Sequence, residues 1–193
     1  MYLSAQQKRI CEQVINVFET GKSEGDYSAI ATEYDAPGDI KQITYGRSQT
    51  TETGNLSHLL KQYIDANGVY SQQFRSYVPK IGVISPTNSR EFVLVNNVQF
   101  KDLLEDAGNH DSVMRQVQDQ FFDEYYFQPA MMWAERNGFT LALSALVIYD
   151  SFSPLLSLQG ERRSASWLKP LLALGLAEFE TGLSCPSTDE LPV

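Results

Sequence analysis

Carboxylates carry the most specific chemical signal in this chain. Glu19 stands at the end of a helical pattern running from about Ala5 to Phe18, directly before Thr20 and Gly21. A helix C-terminus carries partial negative charge, so an anion there is disfavoured. Phe18 adds an apolar neighbour. Both effects push a carboxyl pKa up and keep the group protonated near neutral pH, as a general acid requires. Glu33, Asp35 and Asp39 flank a Pro37-Gly38 turn. That turn can set one of them across a cleft from Glu19. Two carboxyl groups on opposite walls are the equipment of glycoside hydrolysis, in which one protonates the leaving oxygen and the other activates water. Each group also has a plainer reading. A helix-end Glu can simply be solvated, and Asp favours turns through local hydrogen bonds.

Other chemistries find less support. His58 and His110 are the only histidines and lack paired ligand spacing, so no metal site is expected. No Gly-rich phosphate loop follows a strand, and no other cofactor is expected. Gly46-Arg47-Ser48-Gln49-Thr50 falls short of a nucleophile elbow, because the second glycine is missing and no histidine is placed to pair with Ser48. Cys11 and Cys185 are too few for a disulfide framework, and Cys11 reads as a buried free thiol. Fifteen basic against 24 acidic residues leave a net charge of -9, the wrong sign for a nucleic-acid binder. An acidic surface suits a cationic polymer, or serves solubility alone. No run approaches the roughly 18 apolar residues of a membrane span, and Met1 to Gln7 does not read as a signal peptide.

The elements that must position these groups follow from pattern. The chain has 193 residues, 42% hydrophobic and 20% charged, enough for a core in one domain spanning 1–193. Ser4 caps the first helix, with Ile10, Val14, Val17 and Phe18 as its buried stripe and Gly21 as its stop. A short helical turn fits Tyr27 to Thr32, and Ile40 to Gly46 reads as a strand. Further helices are expected after Asn55 (Leu56, Leu59, Leu60, Tyr63 and Ile64 on one face), over Ser71–Val78, and over Val98–Ala107 up to a Gly108-Asn109-His110 turn. A long helix from Asp111 to Phe127 should break or kink at Pro129. Met131–Arg136 then continues as helix, Leu141–Phe152 is apolar nearly all round, and Ser164–Phe179 closes the pattern. Tyr125, Tyr126, Phe127, Met131, Met132 and Trp133 read as core. The result is an α+β, helix-dominated fold with a small antiparallel sheet near 40–53. Two lobes are expected, a small-sheet lobe over about 20–85 and a helical lobe over about 90–180, with Lys80–Glu91 as connector.

This arrangement resembles the chitosanases of glycoside hydrolase families 46 and 80, which have a two-lobed lysozyme-like fold. The resemblance runs from Gln7-Lys8-Arg9 through Val17-Phe18-Glu19, Ile43-Thr44 and Gly54-Asn55-Leu56. It returns at Asp123-Glu124-Tyr125-Tyr126-Phe127-Gln128-Pro129-Ala130 and Val147-Ile148-Tyr149-Asp150, so it covers about residues 4–155. Secreted chitosanases usually carry an Asp-Gly-Arg-Gly-Tyr-Thr segment, and here the stretch from Asp35 to Glu52 departs from it. Its part Gln42-Ile43-Thr44-Tyr45-Gly46-Arg47-Ser48-Gln49-Thr50-Thr51-Glu52 is similar to the lysozyme-like domains of type VI secretion effectors, which cut peptidoglycan.

The resemblance implies Glu19 as general acid and Thr44 as the water-positioning threonine of an inverting mechanism. Asp35 and Asp39 both remain candidates for the base. Asp35-Ala36-Pro37 matches the effector branch, whereas Asp39 has the right five-residue offset to Thr44. Tyr45, Arg47, Gln49 and Glu52 either line the sugar cleft or hold the small sheet together. The expected activity is an endo-acting muramidase on peptidoglycan, injected as an antibacterial effector with an immunity protein as partner. A chitosanase acting on chitosan is the close alternative, and a non-catalytic sugar-binding module is another.

Overall fold

Helix α1 starts where its capping residues dictate. The Ser4 hydroxyl accepts from the Gln7 amide, and the Gln7 side chain accepts from the Ser4 amide, closing a reciprocal cap. The helix runs Ala5–Thr20 and ends on Gly21, whose left-handed φ of 74° returns its N–H to the Val17 carbonyl. The computed structural model describes residues 3–47 and 49–151, with the side chains of 18–20 and 149–151 left outside the description. The chain divides into two compact units, Met1–Leu158 and Gln159–Val193, and all described residues belong to the first. Cys185 and the expected helix over Ser164–Phe179 lie outside the described residues.

The buried stripe of α1 is offset from the expected one. Ile10 and Val17 are 50% and 48% exposed, while Cys11, Ile15 and Asn16 are buried. Adjacent helix positions differ by about 100°, so two neighbouring faces both satisfy an i, i+4 pattern. Contact with the helix over Ala142–Ser151 selects one of them, and the Cys11 thiol lies 3.9 Å from the Ala142 carbonyl. Cys11 is free, and burial raises its pKa.

A three-stranded antiparallel sheet follows in the order β1 (Ile30–Ala36), β2 (Ile40–Tyr45) and β3 (Thr50–Thr51). It begins ten residues earlier than expected. Residues 30–32, assigned to a helical turn on local pattern, pair instead with Tyr45, Thr44 and Ile43. The far edge of β2 is completed piecewise. Thr44 and Tyr45 pair with β3. Ile43 is met entirely by Glu52, whose amide donates to its carbonyl and whose carboxylate accepts its N–H. Lys41 then bonds the backbone of Arg90 and Phe92, so the connector returns to the sheet.

The helices build the core above this sheet. Helix α2 (Leu56–Asp65) buries Leu56, Leu59, Leu60, Tyr63 and Ile64, the face its spacing predicts. Each such aliphatic side chain contributes roughly 2 kcal/mol of burial. Helix α3 is only Ser71–Phe74; residues 75–77 of the expected helix form turns, and a tighter helical turn follows at Val78–Lys80. Helix α4 (Val98–His110) runs through the glycine expected to stop it. Gly108 serves close approach instead, since a Cβ there would sit 2.3 Å from the Tyr27 carbonyl oxygen. Helix α5 (Ser112–Phe122) is capped by Asp111, and a wide π-helical turn over Asp123–Phe127 leads into α6 (Gln128–Arg136). Pro129 therefore does not break the helical run, which continues from α5 into α6. The wider turn, in which the Gln128 N–H reaches the Asp123 carbonyl, accommodates it at the start of α6. Helix α7 (Ala142–Ser151) is not buried all round: Ser144, Ala145 and Ile148 face inward, and Leu143 is 47% exposed. Tyr126, Phe127 and Met131 are core as expected, whereas Met132 is half exposed.

Candidate active site

Strands β1 and β2 hold one row of polar groups on a single sheet face. Glu33 pairs with Gln42 and Ala31 with Thr44, but the next pair is Ala36 with Ile40. Tyr34 and Asp35 thus oppose Lys41 alone, which is a β-bulge, a device that re-aims side chains. Asp35 is half-buried in the bulge and accepts from the Gln42 amide nitrogen at 2.9 Å. The Gln42 amide oxygen accepts from the Thr53 backbone (3.0 Å) and hydroxyl (2.8 Å). Gln42 is fully buried and rigidly held, so it holds Asp35 in turn. Thr44 lies two residues along β2, on the same face and about 7 Å away. Its hydroxyl donates to the Gln49 amide oxygen at 2.9 Å.

Asp39 occupies a different place. It lies at the tip of the hairpin loop with φ 53°, beyond the last paired residues, and is exposed. Asp and Asn tolerate this left-handed conformation better than most residues. Turn geometry therefore accounts for Asp39, and Asp35 is the carboxylate held beside the Thr44 row.

A cavity of about 360 Å³ opens along the polar face of α1, where Lys8, Glu12 and Asn16 recur at every fourth position. Ser23, Glu24, Tyr27, Arg47 and Asp119 complete much of its wall. Arg47 is buried and forms an ion pair with Asp119 of α5. Its guanidinium also lies 5.1 Å from the Phe122 ring centre and 5.8 Å from that of Tyr27. The Tyr27 hydroxyl donates to Asp119 at 2.9 Å. Burial, and then the Asp119 charge, push the Tyr27 hydroxyl pKa up. Gln118 ties the two loops together, accepting from the Arg47 backbone at 3.1 Å and donating to the Tyr27 carbonyl at 2.8 Å. Lys8 pairs with Asp123 at 2.5 Å and so links α1 to the π-helical turn. Glu19 is the penultimate residue of α1, and its side chain lies outside the described residues, as does Ser48.

Of the four residues expected either to line the sugar cleft or to hold the small sheet together, two bond to the scaffold. Tyr45 is fully buried, and its hydroxyl donates to the Leu104 carbonyl at 2.8 Å. Glu52 is 5% exposed and accepts from the amides of Ile43 (2.8 Å) and Gly82 (3.5 Å). Burial pushes its carboxyl up to about 7, against the lowering effect of those two bonds. Both residues are inward because the strand alternation at this edge is set by packing against α4 and the connector. His58 and His110 are exposed. Among the described residues, no group of three His, Cys, Asp or Glu side chains could hold a metal ion, and no helix is long and apolar enough to cross a membrane.

Several participants were not evident from sequence. Gln42 had a usable signal, being two residues before Thr44 on a strand and therefore on its face. Asp119 and Gln118 had none, since they meet Arg47 from more than 70 residues away.

Known proteins share this architecture. Residues 13–166 match the profile of glycosyl hydrolase family 46. A chitosanase of Bacillus subtilis (strain 168) is 30% identical over 151 residues, covering 77% of this chain and 51% of that protein. The chain thus spans about half the length of this curated relative. The crystal structure of native chitosanase from Bacillus subtilis MY002 superposes with a TM-score of 0.67 at 25% identity, covering 83% of this chain and 62% of that one. A Gynuella sunshinyii GH46 chitosanase, solved in complex with chitotetraose, gives a TM-score of 0.66 at 24% identity over 95% of this chain and 72% of that one. The helix-dominated, lysozyme-like fold with its small antiparallel sheet is shared with these structures.

Proposed function

The chain belongs to glycosyl hydrolase family 46, and from that membership we propose that it is an endo-acting glycoside hydrolase whose substrate is chitosan. The family match carries this reading, and the net charge of -9 supports it, since an acidic protein attracts a polycation. Chitosan therefore takes precedence over peptidoglycan, the polymer that the Gln42–Glu52 stretch favours.

In the proposed mechanism Glu19, protonated, gives its proton to the glycosidic oxygen. Asp35 removes a proton from a water that Thr44 positions. The water attacks the anomeric carbon as the bond to the leaving oxygen breaks, and the product has inverted configuration. Such a site needs roughly 6.5–9.5 Å between the carboxyl groups to admit the water. Asp35 is the base we favour over Asp39, because the bulge and Gln42 hold it on the face of Thr44. Arg47, fixed by Asp119 and set near the Phe122 and Tyr27 rings, would line the sugar-binding cavity.

One observation favours a second reading. Lys41 and Arg90 each place their charge 5.6 Å from the ring centre of exposed Tyr34, next to Asp35. A cationic cluster there suits a carboxylate-bearing glycan, hence a muramidase acting outside the producing cell, of the effector type with its immunity partner.

Digestion of chitosan and of purified peptidoglycan, read by mass spectrometry, separates the two. Wild type and Asp39→Asn should release glucosamine oligomers from chitosan. Glu19→Gln and Asp35→Asn should each lose about 100-fold or more. Muropeptides with chitosan untouched would establish the second reading. Binding of either polymer without new reducing ends would leave a sugar-binding module and no hydrolase.

A further inference from the structure

The geometry points to Gln49 as a positioning residue that fixes which way the Thr44 hydroxyl faces. This rests on the reading of Thr44 as the residue that holds the attacking water. Gln49 is not glycine, yet it stands at φ 50°, in the left-handed region that L side chains avoid. Glycine would take this backbone with less strain, so the side chain is what the position retains. That side chain spans the turn after β2. Its amide nitrogen donates to the Gly46 carbonyl at 3.3 Å, and its amide oxygen accepts from Thr44 at 2.9 Å.

The Gly46 carbonyl decides the amide orientation. A flipped amide would set its oxygen against that carbonyl, acceptor against acceptor. With the oxygen turned toward Thr44, the hydroxyl proton is committed to Gln49. The competing acceptor, the Ala31 carbonyl, is 3.5 Å away, at the outer limit of a hydrogen bond. A committed hydroxyl can only accept from a water. That water then spends one proton on Thr44 and gives the other to Asp35, and both of its lone pairs stay free, one of them to attack the anomeric carbon. Without Gln49 the Thr44 hydroxyl is free to donate to the water, which ties up one lone pair and turns a proton away from Thr44.

The test uses chitosan hydrolysis by wild type, Gln49→Gly, Gln49→Glu, Thr44→Val and the double variant Thr44→Val/Gln49→Gly. Gln49→Gly should melt at or above the wild-type temperature, because it relieves the backbone. Its KM should stay near wild type while kcat falls roughly 10- to 100-fold, the scale of a misplaced reactant. Gln49→Glu keeps an acceptor for Thr44 but sets its second oxygen against the Gly46 carbonyl, so it should recover only part of that loss. The double variant should be no slower than Thr44→Val alone, because Gln49 acts through Thr44. Wild-type kcat in Gln49→Gly, with Thr44→Val impaired, would overturn the role of Gln49 and leave that of Thr44 intact. Wild-type kcat in Thr44→Val would overturn the water-positioning reading itself, and so would a wild-type protein that cuts neither chitosan nor peptidoglycan.

Discussion

Glu52 should make the protein less stable as pH rises, and replacing it with Gln should remove that slope. The carboxyl is 5% exposed and sits between the Ile43 amide and the more distant Gly82 amide. Burial raises its pKa from 4.5 to about 7, the two hydrogen bonds notwithstanding. In the unfolded chain it titrates near its ordinary value. Between those two values the folded state therefore binds more protons than the unfolded state, and stability falls with rising pH. The contribution is fully present below about pH 4.5 and lost above about pH 7. A displacement of that size corresponds to roughly 3 kcal/mol. Glu52→Gln carries no charge at any pH. Relative to wild type, it should gain roughly 3 kcal/mol between about pH 4.5 and pH 8. Urea denaturation followed by intrinsic fluorescence measures this, and the other titrating groups cancel in the difference. Any pH-independent cost of turning an amide toward Gly82 also cancels. Parallel pH profiles for the two proteins across this window would refute the reasoning.

Two further outcomes test the scaffold. Asp111 accepts from the Tyr63 hydroxyl (2.5 Å) and the amides of Val69 (2.7 Å) and Val113 (2.9 Å) while almost fully buried. Burial pushes its carboxyl up, but these bonds outweigh that and hold it below the usual range. Its stabilisation is therefore present above about pH 4 and lost as pH falls below it. Asp111→Ala should cost roughly 3 kcal/mol at neutral pH, and Asp111→Asn should flatten the acid limb of the stability profile. Both are read by denaturation. Tyr45→Phe deletes the bond to Leu104 and should cost about 1 kcal/mol while leaving KM for chitosan unchanged. A raised KM would return Tyr45 to the cleft wall.

Local signals gave reliable elements where one pattern had one solution. Ser4 marked the start of α1, Gly21 its end, and the five apolar residues of α2 its buried face. Strand β2 was legible because its β-branched residues are flanked by turn signals. The failures share a cause. Residues 30–32 had no strand signal of their own and became β1 by pairing with residues 43–45. Gly108 and Pro129 carry breaker chemistry, yet each is accommodated by a neighbour, the first by the close approach of Tyr27 and the second by a π-helical turn.

The sequence by itself determined the chemistry on offer: a carboxylate closing α1, carboxylates around the Pro37-Gly38 turn, a threonine on the following strand, and an acidic chain without metal-ligand spacing. These are properties of residue type and short spacing, which a linear chain displays. Only the tertiary structure decided among equals. The bulge and Gln42 set Asp35, not Asp39, beside Thr44, bonds to the Leu104 carbonyl and to the Ile43 and Gly82 amides commit the polar groups of Tyr45 and Glu52 to the scaffold, and Asp119 arrives from α5 to fix Arg47. Each of these choices turns on which groups lose contact with water and which partner meets them from a distant element. No local spacing encodes that, because burial and long-range hydrogen bonding exist only once the helices and the sheet have packed.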